Sequence, residues 1–349
     1  MLHRSILAVG VASSTLLLAA CEDQASSGGD TRDYIAAVGS STVYPFATAV
    51  AEKFAEATGN KTPKIDATGT GGGFERFCQG VGPKTPDISN ASRRMKKSEF
   101  DRCQANGVKD IIEIQIGYDG LAFGQSTKGP EMALTLVDVY KALAATPYGK
   151  PNTAKTWKEV NPALPAIAIS VLGPPSTSGT YDSFKELLLM AGCDKDPAMK
   201  ALKSSDEEKH KKICGTLRGS PYYVEQGEND NLIISKLTTN PTSIGAFGFS
   251  YLDGNRDKIR ALTIDGVSPS METITSEQYP GSRAMYIYIK KAHIGAVPGL
   301  MEYVAEFAKG SAEGGYLAPK GLIPPHKEME ATVAATIKSS KVMDGSDLQ

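Results

Sequence analysis

The sequence predicts an α/β fold, and three observations carry that prediction. Short apolar strands end in Gly/Ser/Thr turns that open into helices, and the unit recurs roughly every 25–30 residues. The chain of 349 residues suits about two such domains. Hydrophobic residues make up 41% and charged residues 22%, enough to bury an ordinary core. A net charge of −1 removes bulk attraction to nucleic acid or anionic lipid from the function classes.

The first twenty residues read as a processing segment. His3 and Arg4 form a weakly basic start, and an apolar run over 6–18 follows. That run is shorter than the ~20 residues needed to span a bilayer. It closes on Leu18-Ala19-Ala20-Cys21, which resembles a bacterial lipobox, so residues 1–20 are expected to be a lipoprotein signal peptide. Cys21 is then the lipidated first residue of a mature protein anchored to a membrane, with 21–30 as a flexible polar tether.

The pattern then repeats in order. A strand over 34–39 ends at Gly39 and passes through Ser40-Ser41-Thr42 to a helix over 46–58, whose Phe46, Val50, Phe54 and Ala57 fall near one face. Gly59-Asn60 stops that helix. A second strand over 64–68 runs into the glycine loop 69–73, and a helix is expected over 74–79. A third strand over 86–91 ends in Ser92-Arg93, before a helix over 96–106. Strands over 111–116 and 121–124 are joined through Gly117-Tyr118-Asp119-Gly120. A helix over 135–144 and a strand over 166–172 come next, then Ser178-Gly179-Thr180 and a helix over 181–191. Residues 197–218 read as a charged, solvated helical excursion. The strand over 284–290 alternates Tyr and Ile, and late helices cover 299–309 and 326–338.

Export implies an oxidising compartment. Besides Cys21 there are four cysteines, and this even number suits two disulfides. Three connectivities are open. The local one, Cys78–Cys103 with Cys193–Cys214, is preferred because it closes short loops, each bridge adding ~2–4 kcal/mol. The four histidines are scattered and neither HExxH nor CxxC occurs, so the sequence gives no support for a metal or any other cofactor.

Four times a strand leads through a Gly/Ser/Thr loop into a helix: at Ser40-Ser41-Thr42, at 69–73, at Ser92-Arg93 and at Ser178-Gly179-Thr180. Helix N-termini present unpaired N–H groups and partial positive charge, hydroxyls add donors, and glycine allows close approach. Converging loops of this kind make an oxyanion cradle in a chain without net positive charge. Each loop alone is also what a simple helix cap looks like. No GxxxxGK[ST] or GxSxG is present, so nucleotide hydrolysis and a nucleophile elbow are unsupported.

These loops resemble those of phosphate-binding proteins of the PstS type, the substrate-binding components of bacterial phosphate ABC importers. The similarity runs through Gly39-Ser40-Ser41-Thr42-Val43-Tyr44-Pro45, Gly69-Thr70-Gly71-Gly72-Gly73-Phe74, Asp87-Ile88-Ser89-Asn90-Ala91-Ser92-Arg93 and Ser178-Gly179-Thr180. It implies a type II periplasmic-binding-protein fold, two α/β lobes joined by two crossing strands with the ligand between them. One lobe would comprise 31–118 and 285–349, the other 119–284. The resemblance implies a monomeric, non-enzymatic receptor on the periplasmic side of the envelope, delivering phosphate to permease subunits. The implied ligand set is Ser41, Thr42, Thr70, Gly71, Ser92, Arg93, Ser178, Gly179 and Thr180. Alternatives are another oxyanion or a phosphonate solute in the same fold, a phosphatase-like hydrolase using Ser178, or a surface lipoprotein with a structural role.

Two positions depart from the better-known branch of that family. An aspartate expected directly after the Ala-Ser pair is Arg93, and an arginine expected four residues before Ser178 is Pro174. Arg93 is therefore read as the oxyanion's bidentate partner, against the alternative of a surface salt bridge beside Arg94 and Lys96. A carboxylate that accepts the proton of phosphate must then come from elsewhere. Asp119 and Asp182 are the substitute carboxylates, beside their simpler roles as a turn residue and a first-turn helix charge, and a backbone carbonyl is the further alternative acceptor.

Overall fold

The computed structural model describes Met1, residues 32–227 and residues 231–349. Residues 1–20, the tether and Cys21 therefore lie outside the described residues, Met1 excepted. The unit from Arg32 to Gln349 is built on eleven strands among the described residues. They are β1 (Ala36–Gly39), β2 (Lys64–Ala67), β3 (Ile88–Ala91), β4 (Ile111–Ser126), β5 (Ala133–Leu134), β6 (Val171–Gly173), β7 (Tyr223–Glu225), β8 (Ile244–Gly248), β9 (Ile259–Ala261), β10 (Thr263–Ile264) and β11 (Ser282–Lys290). The order β2-β1-β3-β11-β4-β8-β6-β7 forms the main sheet, β9 also pairs with β4, and β5 and β10 make a small parallel pair.

The strand β4 organises the sheet. Its first part pairs antiparallel with β11, from Ile111 opposite Lys290 to Gly120 opposite Ser282. From Leu121 onward it pairs with β8 instead, Leu121 opposite Gly248 and Gln125 opposite Ile244. The expected turn at 117–120 is therefore absent. Those residues stay inside one 16-residue strand at the point where it changes partner. Gly117, Asp119 and Gly120 suggested a turn, but Tyr118 pairs by backbone with Ala284 and Ile323, and the chain makes a bulge opposite Met285 and Tyr286 instead, with Gly117 at φ +140°.

Two large cores flank that change of partner. Ile112, Ile114 and Ile116 of β4 pack with Met285, Ile287 and Ile289 of β11 and with Val50 and Phe54 of helix α1 (Tyr44–Thr58). Leu121, Ala122 and Phe123 pack instead with Val139, Tyr140 and Leu143, with Phe184 and Leu188, and with Phe247. The alternation of Ile with polar residues in 111–116 puts one apolar row on one face, as β geometry requires. A smaller cluster of Phe74, Phe77, Met95 and Tyr288 surrounds the bridge Cys78–Cys103.

Helices begin where the strands end. Pro45 lies in the first turn of α1 and Gly59 closes it in the left-handed region. Helix α2 (Gly69–Phe77) starts five residues earlier than the apolar pattern suggests, so the glycine run is its first turn rather than a loop. The reason is a close approach: a Cβ on Gly73 would lie 2.5 Å from the Gly39 Cα. Gly39 itself has φ +134° and sits where a Cβ would be 2.1 Å from the Asn90 carbonyl oxygen. Helix α3 covers Lys97–Ala105, and Thr135 with Asp138 forms a capping box at the start of α4 (Leu136–Leu143). A helical run over 179–193 comprises Gly179–Phe184, a π-helical Lys185–Met190 and Ala191–Cys193. The charged excursion is two helices, Pro197–Ser205 and Glu207–Gly215. Both local disulfides form, Cys78–Cys103 and Cys193–Cys214. Among the described residues no helix is long and apolar enough to cross a membrane.

Candidate functional site

Parallel strands β1, β2 and β3 end side by side, so the segments that follow them gather at one edge. The Ser40 amide donates to the Asn90 carbonyl at 2.9 Å and the Thr68 amide to the Gly39 carbonyl at 2.8 Å. From the other half of the sheet, β6 delivers Ser178 and the helical run behind it. The two groups meet closely: a Cβ on Gly179 would lie 3.1 Å from the Ser41 carbonyl oxygen and 3.4 Å from the Thr42 Cα. Between them opens a cleft of about 600 Å³. Its lining includes Ser41, Thr42, Asp119, Ser178, Gly179, Thr180, Asp182, Ser183 and the exposed Lys320.

Behind that lining stands Arg283, 8% exposed, at the start of β11. Its Nη2 donates to Thr42 Oγ1 at 2.6 Å and to Ser183 Oγ at 2.9 Å. Its Nη1 reaches Glu186 Oε2 at 2.5 Å, and its Nε, without a hydrogen bond, lies 3.4 Å from Asp119 Oδ2. Ser183 donates to Asp119 Oδ2 at 2.7 Å. One guanidinium thus joins Thr42, Ser183 and Asp119, drawn from different elements, into a single buried network.

The lining is rich in unused donors. The backbone amides of Ser41, Thr42 and Gly179, and the hydroxyls of Ser41 and Thr180, make no hydrogen bond among the described residues. Ser178 caps the helical run by accepting from the Thr180 amide at 3.2 Å. With its oxygen so placed it is a cap, and no histidine lines the cleft. Two carboxylates face the same space. Asp119 is held by Ser183 and Arg283. Burial pushes the Asp182 carboxyl above the usual carboxylate range, nearby Glu186 adds to the shift, and Lys185 and Arg283 oppose it. Amide and hydroxyl donors, one buried cation behind them and two carboxylates suit a tetrahedral oxyanion that still carries a proton.

The structure brings five of the nine expected ligand residues to the cleft: Ser41, Thr42, Ser178, Gly179 and Thr180. Thr70, Gly71 and Ser92 lie outside its lining, at the neighbouring strand ends, where Thr70 Oγ1 sits 3.0 Å from Ser92 Oγ and accepts from the Ser92 amide. Arg93 lies outside the lining as well. Its guanidinium is spent bidentately on Glu99, at 2.9 and 2.7 Å, and lies over the Phe74 ring. Glu99 holds it there because the same carboxylate caps α3 through the Lys96 amide. The buried arginine of the site is Arg283, which sequence reasoning missed. The available signal was an arginine just before the apolar run Ala284–Ile289. Asp119 and Asp182, weighed as substitute carboxylates, both line the cleft.

The chain belongs to the PBP superfamily, whose domain model matches residues 24–310. Its fold is the type II periplasmic-binding-protein class, two α/β lobes about a ligand cleft. A phosphate-binding protein PstS from Staphylococcus saprophyticus is 30% identical, covering 87% of this chain and 86% of its own. Protein SphX from Synechococcus elongatus is 29% identical over 91% of this chain and 88% of its own. The crystal structure of a possible phosphate-binding protein from Planctomyces limnophilus superposes with a TM-score of 0.71 at 26% identity, covering 88% of this chain and 98% of that one. Within the superfamily, the chain is a member of the PstS-type family of phosphate-binding proteins.

Proposed function

We propose that this chain captures inorganic phosphate in the cleft and hands it to the permease of an ABC importer. The observation that carries the reading is the meeting of Ser41-Thr42 with Ser178-Gly179-Thr180 in front of buried Arg283. Donors from both sides take the phosphate oxygens, Arg283 supplies the compensating charge through Thr42 and Ser183, and Asp119 accepts the ligand proton. Thr70, Gly71 and Ser92 flank the cradle and keep the strand ends aligned. Fully ionised sulfate has no proton to give, so a carboxylate aimed at it repels it; such sites discriminate by ~10⁴ or more.

The lobes are read as 31–118 with 285–349, and 119–284. The separation of the cores on either side of the β4 partner change supports this division. Closure of the lobes on the ligand presents the form that docks on the permease. The chain is read as a monomeric receptor without catalytic activity, since Ser178 is engaged as a helix cap. It is held at the outer side of the membrane by lipid on Cys21.

Calorimetric titration of the ligand-stripped chain with phosphate, then sulfate, tests the reading. One tight phosphate per chain with no sulfate heat is expected. Binding of both anions with similar affinity, or of neither, overturns it.

A further inference from the structure

A second cluster of reactive side chains lies away from the cleft. The helical run over 179–193 ends at Cys193, and the helix Glu207–Gly215 brings His210 and Cys214 beside it. His210 and Cys214 are four residues apart, so they share one helix face. A ring nitrogen of His210 and the two sulfurs lie within 4.8 Å of one another, and all three residues are buried. His210 Nε2 sits 2.6 Å from Asp194 Oδ1, and the other oxygen of that carboxylate pairs with Lys203 at 3.0 Å. His210 Nδ1 is buried with no hydrogen-bond partner among the described residues.

That arrangement has the parts of a metal site. A carboxylate that accepts from one imidazole nitrogen fixes the tautomer and leaves the other nitrogen as a lone pair, as in carboxylate–histidine–zinc triads. An orphaned buried nitrogen costs stability unless something takes it up. In the oxidised chain the sulfurs bond each other. We propose that reduction of Cys193–Cys214 converts this bridge into a three-ligand site for zinc(II), made by Cys193, Cys214 and His210. A dithiol reductant supplies two electrons and two protons to the bridge and is itself closed to a disulfide. Zinc(II) then displaces the two thiol protons. Two thiolates, one neutral imidazole and one divalent cation sum to no net charge, which a buried pocket tolerates. The fourth position remains for water.

The site crosslinks the far end of the helical run whose first residues, Gly179 and Thr180, line the anion cleft. Bridge and cation are thus two ways of holding the same two helices together, one for oxidising and one for reducing conditions.

The test uses cobalt(II) as the probe. The Cys78→Ser/Cys103→Ser chain retains only this bridge, and a phosphine reduces it under nitrogen. One cobalt per chain is expected, with thiolate-to-cobalt charge-transfer absorption that is absent before reduction. His210→Ala should weaken binding at least about tenfold, and Asp194→Asn by about 10–100-fold. The otherwise unmutated chain, reduced in full and compared with Cys193→Ser, gives an independent reading: added zinc should protect Cys193 and Cys214 from iodoacetamide, seen by peptide mass spectrometry. Absence of cobalt uptake, equal affinity in His210→Ala, no zinc protection, or a reduced chain that unfolds by circular dichroism would each overturn the proposal.

Discussion

Replacing Arg283 by methionine probes the cleft most directly. The substitution keeps roughly the length of the side chain and removes the charge and every donor. The lost contacts are the hydrogen bonds to Thr42 Oγ1 and Ser183 Oγ, the bond to Glu186 and the ion pair with Asp119. The Glu186 side chain is 55% exposed, so that bond contributes little. Asp119 is different, because its side chain is 17% exposed and its partner sits at 10%. Removing one member of a buried pair costs about 3–5 kcal/mol, since the other charge is left uncompensated. Much of that loss is expected in binding, because an unpaired Asp119 carboxylate faces the incoming anion. At 1.4 kcal/mol per tenfold, the full loss would raise the phosphate Kd by about two to three and a half powers of ten, which is the upper bound expected. Calorimetry measures the Kd, and circular dichroism confirms that the variant is folded. A folded Arg283→Met that binds phosphate within about threefold of the parent would refute the role given to Arg283. Arg93→Ala is the companion measurement: with its guanidinium on Glu99, it should leave Kd nearly unchanged and lower Tm slightly.

Other consequences are equally concrete. Asp119→Asn should admit sulfate while lowering phosphate affinity, read by the ratio of the two Kd values; an unchanged ratio would move the proton acceptor to Asp182 or a backbone carbonyl. Gly73→Ala should destabilise the chain by about 1–3 kcal/mol, because its Cβ meets backbone at Gly39 rather than a movable side chain, and urea unfolding reports it. Cys78→Ser should cost about 2–4 kcal/mol in the same assay and leave phosphate affinity intact, the bridge being packed among Phe74, Phe77 and Met95. Burial lowers the Lys290 ammonium to about 7, with Arg32 acting in the same direction and Asp87 against it. Between about pH 7 and 10 the unfolded chain then binds more protons than the folded one at this lysine, so this group's contribution makes stability rise with pH. Urea midpoints at pH 7, 8 and 9, compared with Lys290→Met, should show that rise in the parent alone.

Much of the architecture was legible because it depends on local rules. Strand, small-residue turn and helix can be read from apolar periodicity, and the first three units fall where that pattern puts them, with shifted ends. The strand expected over 166–172 forms only at Val171–Gly173; the other two departures share one cause. The glycine run at 69–73 looked like a loop because glycine disfavours helices, and 117–120 looked like a turn because it holds two glycines and an aspartate. In both places packing overrode propensity. Gly73 lies against Gly39, and the strand through Tyr118 is paired on both sides.

The cleft divides the same way. Sequence alone indicated which loops carry donors, since Ser, Thr and Gly at a strand–helix junction have a local meaning; it left three cysteine pairings open, and the structure shows the local one it favoured. It also named Asp119 and Asp182 as the carboxylates to examine. Only the tertiary structure shows which arginine stands behind the cleft lining. Arg93 sits next to the expected motif, yet a glutamate six residues on claims it. Arg283 lies 241 residues from Thr42 and still donates to its hydroxyl. A charge is assigned to a site by what surrounds it in space, and that surrounding is set by the pairing of β11 with β4, which no local pattern in the chain encodes.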